Sequence, residues 1–136
     1  MNNNGQVASF PFTVAPAAPG LFTAADGTLA PSGTARQGQN AVAFITGDGD
    51  TTTFLITGAS PPSGTAPARL PRPRLPVTVT VGGLSATVSF AGTPVGLAGV
   101  SQVNFTVPAA TPLGLQPVVI SVGGVRTQTG RLNVIQ

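Results

Sequence analysis

The chain has 136 residues, with six Arg, no Lys, three Asp, no Glu and no His, so charged residues make up 7% of it against about 25% in an ordinary soluble domain. Hydrophobic residues at 41% suffice for one core, and the length fits one domain better than two. Without His, Cys, Lys, Glu, Tyr or Trp no Ser-His-Asp triad, thiol nucleophile, Schiff base or His/Cys metal site can be assembled, and the expectation is a non-enzyme with no cofactor and no metal.

In chain order, the apolar spacing is two rather than 3.6, and Gly, Pro or β-branched residues interrupt every window of helical length, so no helix is expected. Val7 to Val14 is the first predicted strand, and Pro11 confines it to an edge or a break. Ala41–Thr46 follows, closed by Gly47-Asp48-Gly49-Asp50, then Thr52–Thr57 and a Pro-rich stretch from Gly58 to Pro76. Val77–Val81 alternates strictly, so one face should be buried and one wet. Gly82-Gly83 can supply both positive-φ positions of a type I′ turn, and Leu84–Phe90 returns with Ala86, Val88 and Phe90 on one face. Gln102–Val107 alternates again and stops at Pro108. Pro117–Val122 meets Gly123-Gly124, and Val125 to Ile135 returns.

These amount to about eight short antiparallel strands with turn signals every 8–15 residues, the pattern of an all-β sandwich or barrel. The Val-Thr-Val-Gly-Gly block at 79–83 is echoed by Ile-Ser-Val-Gly-Gly at 120–124. Two hairpins of one turn chemistry account for that echo, since a solenoid needs at least three repeats.

Several blocks resemble a known family, the Ig-like β-sandwich domain found at the C-termini of large exported, mostly uncharacterised acidobacterial proteins. They are Ala15-Pro16-Ala17-Ala18-Pro19-Gly20-Leu21-Phe22-Thr23, Ala35-Arg36-Gln37-Gly38-Gln39, Leu75–Gly83, Gly99–Pro108 and Pro117–Val125. The resemblance covers roughly residues 7–136, and Gln102-Val103-Asn104-Phe105 and the final Val-Gly-Gly are its most specific parts. It implies an Ig-like β-sandwich over 15–136, a non-catalytic role, an extracellular or cell-surface setting and no active site to carry over. In such proteins the block like Ser9–Val14 closes a preceding domain, which makes 1–14 an N-terminal extension and a possible donor strand.

The remaining chemistry is sparse. Six Arg in 136 residues, with no Tyr or Trp for stacking, are too few to track a nucleic-acid backbone. Arg69, Arg72 and Arg74 stand among prolines and are read as a stiff, solvated linker. Arg36, Arg126 and Arg131 are read as charges that blunt strand edges. Asp48 and Asp50 could supply part of a calcium shell, but without a full ligand loop a Gly/Asp-rich turn is the better account. Asn104-Phe105-Thr106 matches a glycosylation sequon, which strand alternation around a buried Phe explains better. Thr51-Thr52-Thr53 and Thr127-Gln128-Thr129 are read as wet sheet faces.

No run of 18 apolar residues spans a membrane, and the first residues lack a signal peptide's basic and apolar regions. The Thr/Ser/Gly/Pro-rich composition then favours a segment of something exported. The expected function is structural: self-association or docking to adjacent domains, with Phe10, Phe12 and Val14 adding to a neighbour's sheet and filaments as one outcome. Binding of polysaccharide or a surface is the alternative, disfavoured by the missing Trp and Tyr. The absence of lysine rules out the Lys–Asn amide cross-link of some surface domains.

Overall fold

The computed structural model describes residues 2, 3, 6, 7, 9, 11 and 14–136. It is all-β, with one short 3₁₀ turn at Pro67–Arg69. The strands are β1 (Asn2–Asn3), β2 (Gln6–Val7), β3 (Gly20–Leu21), β4 (Thr34–Arg36), β5 (Asn40–Thr46), β6 (Val77–Val81), β7 (Leu84–Gly92), β8 (Ser101–Thr106), β9 (Gly114–Val122), β10 (Val125–Arg126) and β11 (Gly130–Ile135).

One sheet runs in the order β3-β5-β8-β7-β6-β9-β11-β4, with β10 on β9. Its pairs are antiparallel except β11–β4, which is parallel. The two ends of this path, β3 and β4, are neighbours in sequence, so the segment between them must connect the two edges. It does so through Pro31, bridged to Ala43 of β5, and Thr28, bridged to Arg131 of β11. The sheet therefore curls around its core.

Both tight turns follow from glycine. Gly82 and Gly83 have φ of 58° and 81°, and Gly123 and Gly124 have 57° and 83°. Positive φ at both central residues is what a type I′ turn demands. They join Val81 to Leu84 and Val122 to Val125 as directly opposed pairs.

The inward face is apolar at every second residue: Ala41, Ala43 and Ile45 on β5, Val103 and Phe105 on β8, Val79 and Val81 on β6, Val118, Ile120 and Val122 on β9, Leu132 and Val134 on β11. Small residues sit opposite large ones, with Ala41 facing Phe105 and Ile45 facing Ser101. The Phe105 ring thereby fills the space alanine leaves, and full burial of such a side chain contributes about 1.5–3 kcal/mol.

β7 makes the bend. Leu84–Ala86 pair with β6, whereas Thr87–Gly92 pair with β8, and the register shifts between Val88 and Phe90. This bulge overturns the expectation that Ala86, Val88 and Phe90 share a face. Val88 opposes the buried Phe105, but Phe90 opposes the half-buried Asn104, because the extra residue Ser89 reverses the alternation.

Four other expectations change. Thr52–Thr57 forms no strand. The facing stretch carries Pro71 and Pro73, which have no N–H to donate, and only the Thr51–Pro73 bridge and bonds around Thr52 form. The arginine stretch is correspondingly not a free linker, since the Thr52 N–H donates to the Arg72 carbonyl and the Arg74 N–H to the Asp50 carbonyl. The last return strand is split into β10 and β11. At the split Thr127 is buried, with its hydroxyl accepting from the Ile120 N–H at 3.2 Å, so this is not a purely wet face.

Of the predicted strand Val7–Val14, Val7 lies in β2 opposite Asn2, and Ser9, Pro11 and Val14 lie outside strands. The β1–β2 pair forms a small sheet of its own, and the register Asn3↔Gln6 leaves two residues, Asn4 and Gly5, between its strands.

Candidate functional site

The polar residues singled out in the sequence are used locally. Asp48 accepts a 2.6 Å hydrogen bond from the Ser101 hydroxyl. Asp50 is ion-paired with Arg74 at 3.0 Å, both side chains well exposed. These carboxylates are turned to different partners and do not converge on one point. Among the described residues no group of three or more His, Cys, Asp or Glu side chains gathers.

Glycine shapes this turn for a different reason than a hairpin would need. Gly47 and Gly49 have φ of 69° and 80°, and a Cβ on either would be driven into the backbone carbonyl of Ala18 or Pro16. The turn is pressed against the chain entering β3, where the Ala18 N–H donates to the Gly47 carbonyl. Asn104 lies in β8, and its side-chain carbonyl accepts from Gln102 Nε2 at 2.8 Å.

Surface depressions among the described residues offer more room. One, of about 410 Å³, is lined by Phe22, Ala30, Pro31, Phe44, Leu97 and Val100. A second, of about 330 Å³, lies beside the Asp48–Asp50 turn under a loop that leaves Phe54 and Ile56 exposed. A third, of about 440 Å³, is a slit between the run-in to β6 and the second half of β7.

The slit exists because β6 and β7 part company. They pair from Val81↔Leu84 to Val79↔Ala86; beyond that, β7 pairs only with β8. The run-in meets β7 again where the Thr93 N–H donates to the Pro71 carbonyl at 2.8 Å. Between those closures, no described residue pairs with the β7 edge facing away from β8. Leu75, Val77 and Val88 are partly buried along the slit and pack on the core. The Arg72 guanidinium lies over the Phe90 ring, 5.1 Å from its centre. Such a stack contributes about 0.5–1 kcal/mol at an exposed site.

Of the three residues expected to add to a neighbour, Val14 is 79% exposed. Phe10 and Phe12 lie outside the described residues. The slit went unread in the sequence. Its only advance signal was the spacing of Pro71, Pro73 and Pro76, which starves one side of donors.

The chain matches no protein-family model and no curated protein. Among solved structures it is similar to the crystal structure of the Lin-41 filamin domain, at 12% identity and a TM-score of 0.44, over 89% of this chain and 95% of that one. Among the described residues no helix is long and apolar enough to cross a membrane.

Proposed function

We propose that this chain is a non-catalytic Ig-like β-sandwich module that assembles with copies of itself or with adjacent domains outside the cell. The assembly element is the N-terminal segment ending at Val14, added as a strand to a neighbour's sheet edge. The observation that carries this comes from the described residues of that segment. β1 and β2 pair with each other and with no strand of the large sheet, and Ser9, Pro11 and Val14 are exposed. A segment with apolar residues at 10, 12 and 14 suits strand addition, in which main-chain hydrogen bonds supply affinity and alternate side chains supply specificity.

The 7% charge supports the same conclusion. Few charges mean weak repulsion between copies, and a Thr/Ser/Val-rich surface is cheap to desolvate. Head-to-tail addition need not close, which permits filaments. The extracellular setting rests on the lysine-free, Thr/Ser/Gly/Pro-rich composition and on the resemblance to exported acidobacterial domains.

The test is particle size by light scattering and electron microscopy, comparing the full chain with one lacking residues 1–14. The full chain should form concentration-dependent oligomers or filaments and the shortened one should not. Equal sizes for the two would sink the proposal.

A further inference from the structure

We infer that the acceptor for the Ser9–Val14 segment is the slit between Arg72–Val77 and Val88–Ala91 of a second copy. This rests on the strand-addition function proposed above and names its partner surface.

Four observations point there. The slit presents a β7 edge with no partner among the described residues, which is the template an added strand needs. Neither of the other two depressions presents such a strand edge.

Length agrees. Six extended residues span about 17 Å at about 3.3 Å per step, within the roughly 23 Å of β7 between the closures at Ala86 and Thr93. Side-chain chemistry agrees as well. Leu75, Val77 and Val88 offer apolar surface continuous with the core, and the segment brings Phe10, Phe12 and Val14 with no charge to strip of water. The Arg74 guanidinium is exposed and ion-paired with Asp50.

Pro11 fixes the register. In an edge pairing, alternate residues turn their N–H and C=O toward the partner. Pro11 has no N–H, so it must be among those turned away, which leaves 10, 12 and 14 to bond β7. The occupant is a second copy rather than the chain's own segment, because Ser9, Pro11 and Val14 are exposed in the structure.

The chain has no cysteine, so engineered thiols report contact without background. Full-length Thr13→Cys is mixed under mild oxidation with full-length Ser89→Cys, the latter on the exposed bulge of β7. A mixed disulfide is expected, identified by mass spectrometry of the joined peptides, and it should be lost when Phe12→Asp is added to the donor. Leu97→Cys, in the apolar depression on another face, serves as the comparison acceptor. Equal cross-linking to Leu97→Cys overturns the slit as acceptor, and so does a Ser89 cross-link indifferent to Phe12→Asp. A concentration-independent disulfide within a single Thr13→Cys/Ser89→Cys chain also overturns it, in favour of docking in cis. Particle size separates the two levels. Oligomers that vanish without residues 1–14 while Ser89→Cys fails to cross-link leave strand addition standing and only the acceptor wrong; oligomers that persist without residues 1–14 remove both.

Discussion

The carboxamide of Gln128 is bonded at both ends to one residue 107 positions away. Its Nε2 donates to the Leu21 carbonyl at 2.6 Å, and the Leu21 N–H donates to its Oε1 at 3.1 Å. Gln128 lies between β10 and β11, and Leu21 lies in β3 at one end of the strand path. One side chain thus pairs like a strand residue and helps hold the curl closed. Beside it Thr127 grips Ile120, donating from its N–H to the Ile120 carbonyl and accepting the Ile120 N–H on its hydroxyl.

Gln128→Ala should therefore destabilise the fold although the residue is exposed. It strips partners from the Leu21 N–H and C=O, and leaving such part-buried groups unpaired costs about 1–3 kcal/mol. Gln128→Glu should cost at least as much at neutral pH, because a carboxylate oxygen would replace the donor facing the Leu21 carbonyl. Urea unfolding checks both, as a lower midpoint at unchanged slope. An unshifted midpoint would show that the paired amide contributes nothing net.

Thr111 offers the opposite sign. It is fully buried, and its hydroxyl has no hydrogen-bond partner among the described residues. Thr111→Val keeps the shape and removes the unpaired group, leaving the bond from the Thr111 N–H to the Pro108 carbonyl intact. Stability should rise by about 1 kcal/mol, a modest part of the cost of burying an unbonded hydroxyl. Calorimetry would read it as a higher Tm, and a lower Tm would mean the hydroxyl is satisfied in solution.

What was legible in the sequence was local. Alternation placed β6, β8 and β9, and the two Gly-Gly pairs placed the I′ hairpins, because both signals act between neighbours. The rest depends on distant partners. Nothing near Gln128 announces Leu21, and nothing near Thr52 announces that prolines 71 and 73 will face it and withhold donors. The bulge at Ser89 has no local signature, so the turning of Phe90 away from Val88 was invisible. The slit inherits that invisibility, being made by the bulge on one side and prolines on the other. Of the candidate site, the alternation at 10, 12 and 14 and the prolines on one wall of the slit could be read ahead.

Gly47 tests how tightly the acidic turn is seated. Gly47→Ala meets two penalties, a left-handed backbone at about 1–2 kcal/mol and a Cβ forced into the Ala18 carbonyl oxygen. Gly38 has a similar φ of 73° but open space around its missing Cβ. Gly38→Ala should show the first penalty alone, and Gly47→Ala clearly more. Equal midpoints for the two in urea would mean the entry to β3 yields to the intruding methyl.

Acid sensitivity should be narrow. With His, Glu, Cys, Tyr and Lys absent, no side-chain type in the chain has an ordinary value between about pH 5 and 12. The Asp26 carboxylate accepts the Thr28 hydroxyl at 2.6 Å and the Thr28 N–H at 2.9 Å, and these bonds hold it below its ordinary value of 3.8. A carboxyl that resists protonation more when folded than when unfolded adds stability in full above the unfolded value. That contribution drains away as the pH falls through the lower folded value. The urea midpoint should thus be flat from about pH 6 to pH 10 and decline only below about pH 4. Thr28→Val removes the stronger of the two bonds and should shrink the acid decline, with little change in the slope near neutrality. The effect is small, because Asp26 stands in solvent. A midpoint that drifts with pH between 6 and 10, or an acid limb indifferent to Thr28→Val, would contradict this account.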